Sequence, residues 1–444
     1  MSACLAEPAC FSEPSPESPL PELHRLEDAG VPTSLVEQIL IRVLYAHGEL
    51  SVNDLSGVLG LRFSLISDLI QALKVQNVLQ VKRSTGMGEI SAILALTDNG
   101  KQRARDCLEI SHYAGPVPVP LKQYTEVVRR QRRVEGWLTG DKLKAAYHHM
   151  IISPEVLDRI GPAVNSGRSF LIYGKPGNGK TYMAEALGNL DDTPIWIPYA
   201  IEYQGSVVQV LDLALHAVVE TCSTSGAVAA DWSGDHRWVR CRRPFLTSGG
   251  ELTLEMLDLS YNEVTRVYEA PVQLKANNGI YLIDDFGRQK VSPVEVLNRW
   301  IIPLERRIDY LTLRVGGKLT APFEAFLVFS TNLNPNQLGD EAFLRRIQYK
   351  LLVRNPDWSE FIGIFRQACV ANGLECPAGT IERFIETHYQ SIGRAFRRCH
   401  PRDVLSHAVD LIKFERRPLL LDDELLHRAF TSCFVEEEEE AEGA

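Results

Sequence analysis

Gly174-Lys175-Pro176-Gly177-Asn178-Gly179-Lys180-Thr181 is the stretch whose reading decides the fold. It satisfies the pattern G-x-x-x-x-G-K-[ST] at every fixed position. Before it, Ser169-Phe170-Leu171-Ile172-Tyr173 is a short apolar run that reads as a buried strand. After it, Thr181 to Leu190 carries Met183, Ala184, Ala186 and Leu187 at helical spacing. The three glycines let the backbone curl so that its N–H groups point inward at a polyphosphate. The following helix aims the positive end of its dipole at the same place. Lys180 is expected to reach the β- and γ-phosphates and the Thr181 hydroxyl to ligate Mg²⁺. Lys175, Pro176, Asn178 and Tyr182 complete the set expected to contact that polyphosphate ligand.

Three later runs read as the rest of a nucleotide-processing site. Ile280-Tyr281-Leu282-Ile283-Asp284-Asp285 reads as a strand ending in two carboxylates. Asp284 would hold the metal through water, and Asp285 would polarise the attacking water. Phe326-Leu327-Val328-Phe329-Ser330-Thr331 is a third buried strand, followed by Asn332. An amide there can bridge the second carboxylate and the water. Asp340-Glu341-Ala342-Phe343-Leu344-Arg345-Arg346 follows after a short loop. Either arginine can reach the γ-phosphate of a neighbouring subunit, because arginine stays charged and presents a fork of donors.

Together these motifs resemble the AAA+ ATPase family, over residues 140 to 433. The resemblance implies an α/β fold of the P-loop NTPase kind, a parallel sheet with helices on both faces, followed by a helical lid. It implies ATP and Mg²⁺ as ligands, ATP hydrolysis, and a ring of identical subunits, a hexamer. Gly174–Thr181 would be Walker A, 280–285 Walker B, Asn332 sensor 1, and Arg345 or Arg346 the arginine finger. His400-Pro401-Arg402-Asp403-Val404-Leu405 resembles the start of a lid helix and makes Arg402 the sensor 2 candidate. Asp309 to Arg314, a Val315-Gly316-Gly317-Lys318 turn, and Leu319 to Phe323 read as a β-hairpin. Its position resembles the pre-sensor 1 hairpin of magnesium-chelatase-like and helicase-like members. The long stretch 201–278 falls between the second strand and Walker B and suggests no mechanism. One departure concerns catalysis. The family pattern has Glu as the second Walker B acid, whereas Asp285 is one methylene shorter, which leaves Glu251 as a candidate helper.

Outward from this core, residues 31–110 have the pattern of a winged helix-turn-helix. Helices are expected over 35–44, Val52 to Leu59 and Phe63 to Val75, then two strands joined through Gly86-Met87-Gly88, then a closing helix. Eight Lys/Arg balance eight Asp/Glu in this segment, and its third helix offers only Arg62 and Lys74 as cations. Duplex binding draws its affinity from several phosphate contacts, so docking of a protein partner is favoured over DNA. Residues 111–139 read as a linker, stiffened by Gly115-Pro116-Val117-Pro118-Val119-Pro120. Arg129, Arg130, Arg132 and Arg133 within it read as a solvated helix face. The ATPase core is assigned to 140–355 and the lid to 356–433. Residues 1–30, rich in Pro, Ser and Glu, and the acidic tail 434–444 are expected to be disordered.

Composition excludes several classes. With 45% apolar and 23% charged residues the chain is an ordinary globular one, and it holds no apolar run long enough for a membrane span. The N-terminus has neither the basic region nor the apolar core of a signal peptide. Nine cysteines without a C-x-x-C pair point to reduced thiols, and with them to the cytoplasm. A net charge of −10 argues against a polybasic coat for nucleic acid. The expected function is therefore an ATPase that remodels or loads a partner held by residues 31–110. The alternative is a nucleotide-gated DNA-binding regulator with slow turnover.

Overall fold

A computed structural model describes residues 20, 22–84, 89–134, 136–219, 235–314, 316–338 and 344–434. At its centre lies a five-stranded sheet in the spatial order Phe245–Ser248, Ile280–Ile283, Phe326–Thr331, Phe170–Tyr173, Tyr349–Leu352. Every neighbouring pair is parallel. A parallel sheet is covered on both faces, which is why its inner strands are continuous apolar runs rather than alternating ones. Alternate side chains go to opposite layers. Phe170 and Ile172 pack with Ile160, Val164, Met183 and Leu187, from the helices Pro154–Ser166 and Lys180–Ala186 and the short turn after them. Leu171, between them, packs with the layer of Val296, Leu297 and Trp300 around the helix Pro293–Arg299. The fold is thus the α/β architecture expected, a parallel sheet with helices on both faces.

Register sets the functional edge. Tyr173 lies opposite Thr331 and Leu352, and Ile283 opposite Phe329. The residues that follow these strands, Gly174, Asn332 and Asp284, therefore emerge at one carboxyl edge, where open α/β sheets bind ligands.

The strand beside Ile280–Ile283 differs from expectation. The second strand was expected before residue 201, and Ile195–Pro198 is indeed a strand. It pairs antiparallel with Trp238–Cys241, outside the central sheet. The central sheet uses Phe245–Ser248 instead, an edge strand of mixed character that gives little apolar signal. Much of the stretch 201–278 builds a second, β-rich body. Ala200–Tyr203, Ser206–Gln209, Val267–Glu269 and Ser260–Asn262 form its sheet, around a core that includes Ile201, Val208, Trp238 and Tyr268. The hairpin Ile308–Thr312/Lys318–Pro322 forms as read, and it buries Leu311, Leu319 and Ala321 in this same core.

Residues 111–139 are not a free tether. Val117 is buried in the core of the N-terminal unit, Val119–Pro120 pairs in parallel with Ala200–Tyr203, and the helix Leu121–Arg130 buries Tyr124, Val127 and Val128. Arg129, Arg130 and Arg132 are exposed as expected, Arg132 pairing with Glu324 at 2.7 Å, whereas Arg133 is half-buried and pairs with Asp191 at 2.8 Å. The fully buried Arg237 ties the pieces together. It pairs with Asp235 at 2.7 Å and donates to the carbonyl of Ala29 at 2.8 Å and to Gln123 at 3.2 Å. A lone buried charge would be costly, but here every arm of the guanidinium is occupied.

The N-terminal unit runs as helices Thr33–His47, Val52–Leu59 and Phe63–Val75, antiparallel strands Leu79–Ser84 and Ala92–Leu96, and helix Asp98–Ile110. Ser51 caps the second helix by accepting from the Asp54 N–H, and Gly60 closes it in the left-handed conformation. Glu49–Ser51 adds a third strand that was not foreseen. The Gly86–Gly88 turn lies outside the described residues. So do 1–19 and 435–444, where most of the expected terminal disorder falls; Ala29, inside the expected 1–30 segment, is fully buried. At the other end, helices Trp358–Ala371, Thr380–Ile385, His400–Glu415 and Asp423–Cys433 enclose their own core of Phe361, Phe365, Tyr389, Leu405 and Phe430. No helix among the described residues is long and apolar enough to cross a membrane.

Candidate active site

The loop Gly174–Thr181 joins the Phe170–Tyr173 strand to the helix Lys180–Ala186. Two of its glycines are required sterically. Gly174 has φ 148°, and a Cβ there would sit 2.3 Å from the Val353 carbonyl oxygen. Gly177 has φ 77°, and its Cβ would meet the Cys399 sulfur at 2.7 Å. The C-terminal helical unit therefore touches the loop directly, and the Cys399 N–H donates to the Gly177 carbonyl at 2.9 Å.

Inside the loop, Lys180 is buried, 6% exposed, and donates to the Lys175 carbonyl at 3.1 Å and to Asn332 Oδ1. Asn332 Nδ2 in turn donates to Asp285 Oδ1 at 2.9 Å. The Thr181 hydroxyl donates to Asp284 Oδ2 at 2.8 Å. Lysine, hydroxyl, both carboxylates and the amide, read from three separate strands, thus form one connected cluster. Burial lowers the Lys180 ammonium below its ordinary pKa, Asp285 and Asp284 oppose this, and Arg397 and Arg288 add to it. Asp285 adopts φ 48°, the left-handed region that Asp tolerates better than most residues.

The donor set fits a hard divalent cation. One hydroxyl and one carboxylate side by side are the protein ligands expected for Mg²⁺, which keeps several waters and takes phosphate oxygens. Among the described residues no cluster of three or more His, Cys, Asp or Glu offers an all-protein cage. The curled loop with its inward lysine likewise fits a phosphate chain.

Other expected residues lie elsewhere. Arg402 is 79% exposed, pairs with Asp403 at 3.2 Å, and is not brought to the loop. The cation from that region is Arg397, whose Nη1 donates at 2.5 Å to Asn355 Oδ1, the atom that also accepts from Asn178 at 2.9 Å. Asn178 is itself fully buried, with its own Oδ1 unpartnered among the described residues. Arg397 and Arg288 were missed because both sit in aperiodic turns. Tyr182 is half exposed, its ring 5.3 Å from that of His149. Glu251 accepts from its own turn, at the Gly249 N–H. Arg345 and Arg346 lie at the opposite edge of the sheet. The Arg346 carbonyl accepts from Ser169, which precedes the loop-bearing strand, and its guanidinium pairs with Glu305 at 2.6 Å. Asp340 to Phe343 are outside the described residues.

Residues 357–432 match a family model described as a domain of unknown function, DUF8689. No curated protein matches the chain. Among solved structures, NtrX from Brucella abortus is 13% identical, with 67% of this chain and 58% of that chain covered, at a TM-score of 0.41. NtrX in complex with ADP is 13% identical, covering 78% and 69%, at 0.40. A RuvB mutant from Thermotoga maritima is 12% identical, covering 66% and 70%, at 0.35. In the first of these matches the chain spans less than two thirds of the NtrX chain, 58% of it.

Proposed function

We propose that the chain is an AAA+-type ATPase that binds ATP with Mg²⁺ in the Gly174–Thr181 loop and hydrolyses it. The observation that supports this most is the chain of contacts from Lys180 through Asn332 to Asp285, beside the Thr181–Asp284 pair. A bound Mg²⁺ would neutralise charge developing on the phosphates. Thr181 and Asp284 would hold it, the loop amides and Lys180 would bind the β- and γ-phosphates, and Asp285, oriented by Asn332, would position the water. Lys175, Pro176, Gly179 and Asn178 shape the cradle, Arg397 supplies the lid-side cation, and Tyr182 with His149 offers an aromatic edge at its mouth.

Arg345 and Arg346 stand across the sheet from their own loop, so as fingers they would serve a second copy. This supports a ring, a hexamer in the family's pattern. Residues 31–110, with four helices, a three-stranded sheet and balanced charge, would recruit the protein that the ring remodels. Asp285→Asn and Asn332→Ala should keep ATP binding but lower turnover by about a hundredfold or more. Full turnover in both variants would remove them from the reaction.

A further inference from the structure

A cavity of about 650 Å³ opens at the amino-terminal edge of the central sheet, across the strands from the phosphate loop. Its walls come from the approaches to all five strands: Arg243, Asn278, Glu324, Arg168 and Arg346 each precede one of them. Arg132, Arg133 and Arg307 close it from outside the sheet, and Arg345 stands beside Arg346. Among the described residues, two lining carboxylates, Glu305 and Glu324, stand against these seven guanidinium groups, with Asp191, which pairs with both Arg133 and Arg243 at 2.8 Å. Among the described residues four positive charges are left in excess, in a chain whose net charge is −10.

The cations are also held in place. Arg243 donates to the carbonyls of Asn278 at 2.7 Å and Gln131 at 3.2 Å, and Arg307 donates to that of Gly167. Burial, and then Arg133, pushes Arg243 down to about 10. Burial likewise lowers Arg307, with Arg132 and Arg168 acting in the same direction and Glu324 against it. Fixed like charges in a half-enclosed space focus a positive field that an anion relieves. The helix Pro154–Ser166 ends here and presents carbonyls, so attraction comes from the side chains and not from a helix dipole. Walls on several sides suit a compact ion better than a strand running past.

We propose that this cavity binds a compact phosphate chain, inorganic tripolyphosphate or the triphosphate of a free nucleotide, at a site separate from the Gly174–Thr181 loop. Arginine forks match phosphate oxygens two at a time, and four excess charges match a triphosphate. The site lies within one chain and does not depend on hydrolysis. The test is calorimetry on the full-length Lys180→Ala protein in EDTA, with sodium tripolyphosphate in one arm and ATP in the other. One site per chain is expected. Adding Arg168→Glu, an exposed position, should weaken it about tenfold or more. Arg132→Gln should weaken it in the same sense, and Lys101→Glu, remote from the cavity, should leave it unchanged. Equal affinity in the two arms assigns the phosphate chain alone, and tighter ATP binding assigns the nucleotide. Absence of heat in both arms, indifference to Arg168→Glu and Arg132→Gln, or binding of a long oligonucleotide only would overturn the proposal.

Discussion

At the scale of single residues, Asp285 and Arg397 carry the most information. Asp285 stands where the resembled family has Glu, and its φ of 48° gives a physical account of the difference. A left-handed position favours the short Asp side chain, and the turn brings its carboxylate onto Asn332. Glu251 is engaged in its own turn, accepting from the Gly249 N–H. Arg397 replaces Arg402 as the cation beside the loop, through Asn355 and Asn178. Arg397→Ala should weaken ATP affinity by about tenfold, the loss of one charge-assisted contact. Arg402→Ala should leave it within about twofold, since its exposed pair with Asp403 contributes little. Equilibrium titration of the two variants side by side checks this, and the reverse ranking would restore Arg402. The loop, both aspartates and Asn332 were legible because motif residues sit at the ends of apolar strands. Arg397 was not, because it lies in a turn whose geometry only the packing of Cys399 on Gly177 reveals.

At the scale of elements, the same contrast recurs. Helices Val52–Leu59 and Phe63–Val75 carry their own stop and start signals, and their bounds fall where the pattern places them. Ile195–Pro198 and Phe245–Ser248 do not: a four-residue strand says nothing of which sheet it joins, and the more apolar of the two belongs to the β-rich body. The C-terminal helical unit contains a titration that the sequence does not announce. His400 packs against Tyr389 and Phe434, and burial, with Arg394 and Arg397 nearby and Asp403 opposing them, holds its imidazole down to about 4. The folded chain keeps this ring neutral while the unfolded chain protonates it near its ordinary 6.5. The unfolded state then binds more protons, so stability is lost as pH falls from 6.5 towards 4. His216 and His388 are lowered by burial in the same sense. Thermal midpoints across that window should fall less steeply for His400→Phe than for the unaltered chain. Parallel curves would show that the ring does not titrate there.

At the scale of the whole molecule, one sheet presents two opposite edges of different make-up. The carboxyl edge gathers Lys180, Thr181, Asp284, Asp285 and Asn332, and the amino edge gathers arginines, among them Arg345 and Arg346. If the arginines of one copy complete the site of the next, mixing Arg345→Ala/Arg346→Ala subunits with unaltered ones should depress turnover more than dilution does. A strictly linear decline would argue for self-sufficient sites. The β-rich body and the N-terminal unit are joined through Arg237. Everything proposed for them depends on the loop being a working site. The most direct measurement is phosphate release from ATP and Mg²⁺ by the intact chain beside its Lys180→Ala variant. The account predicts magnesium-dependent release from the first and none above background from the second. Absence of release from the unaltered chain, or equal release from both, would contradict it.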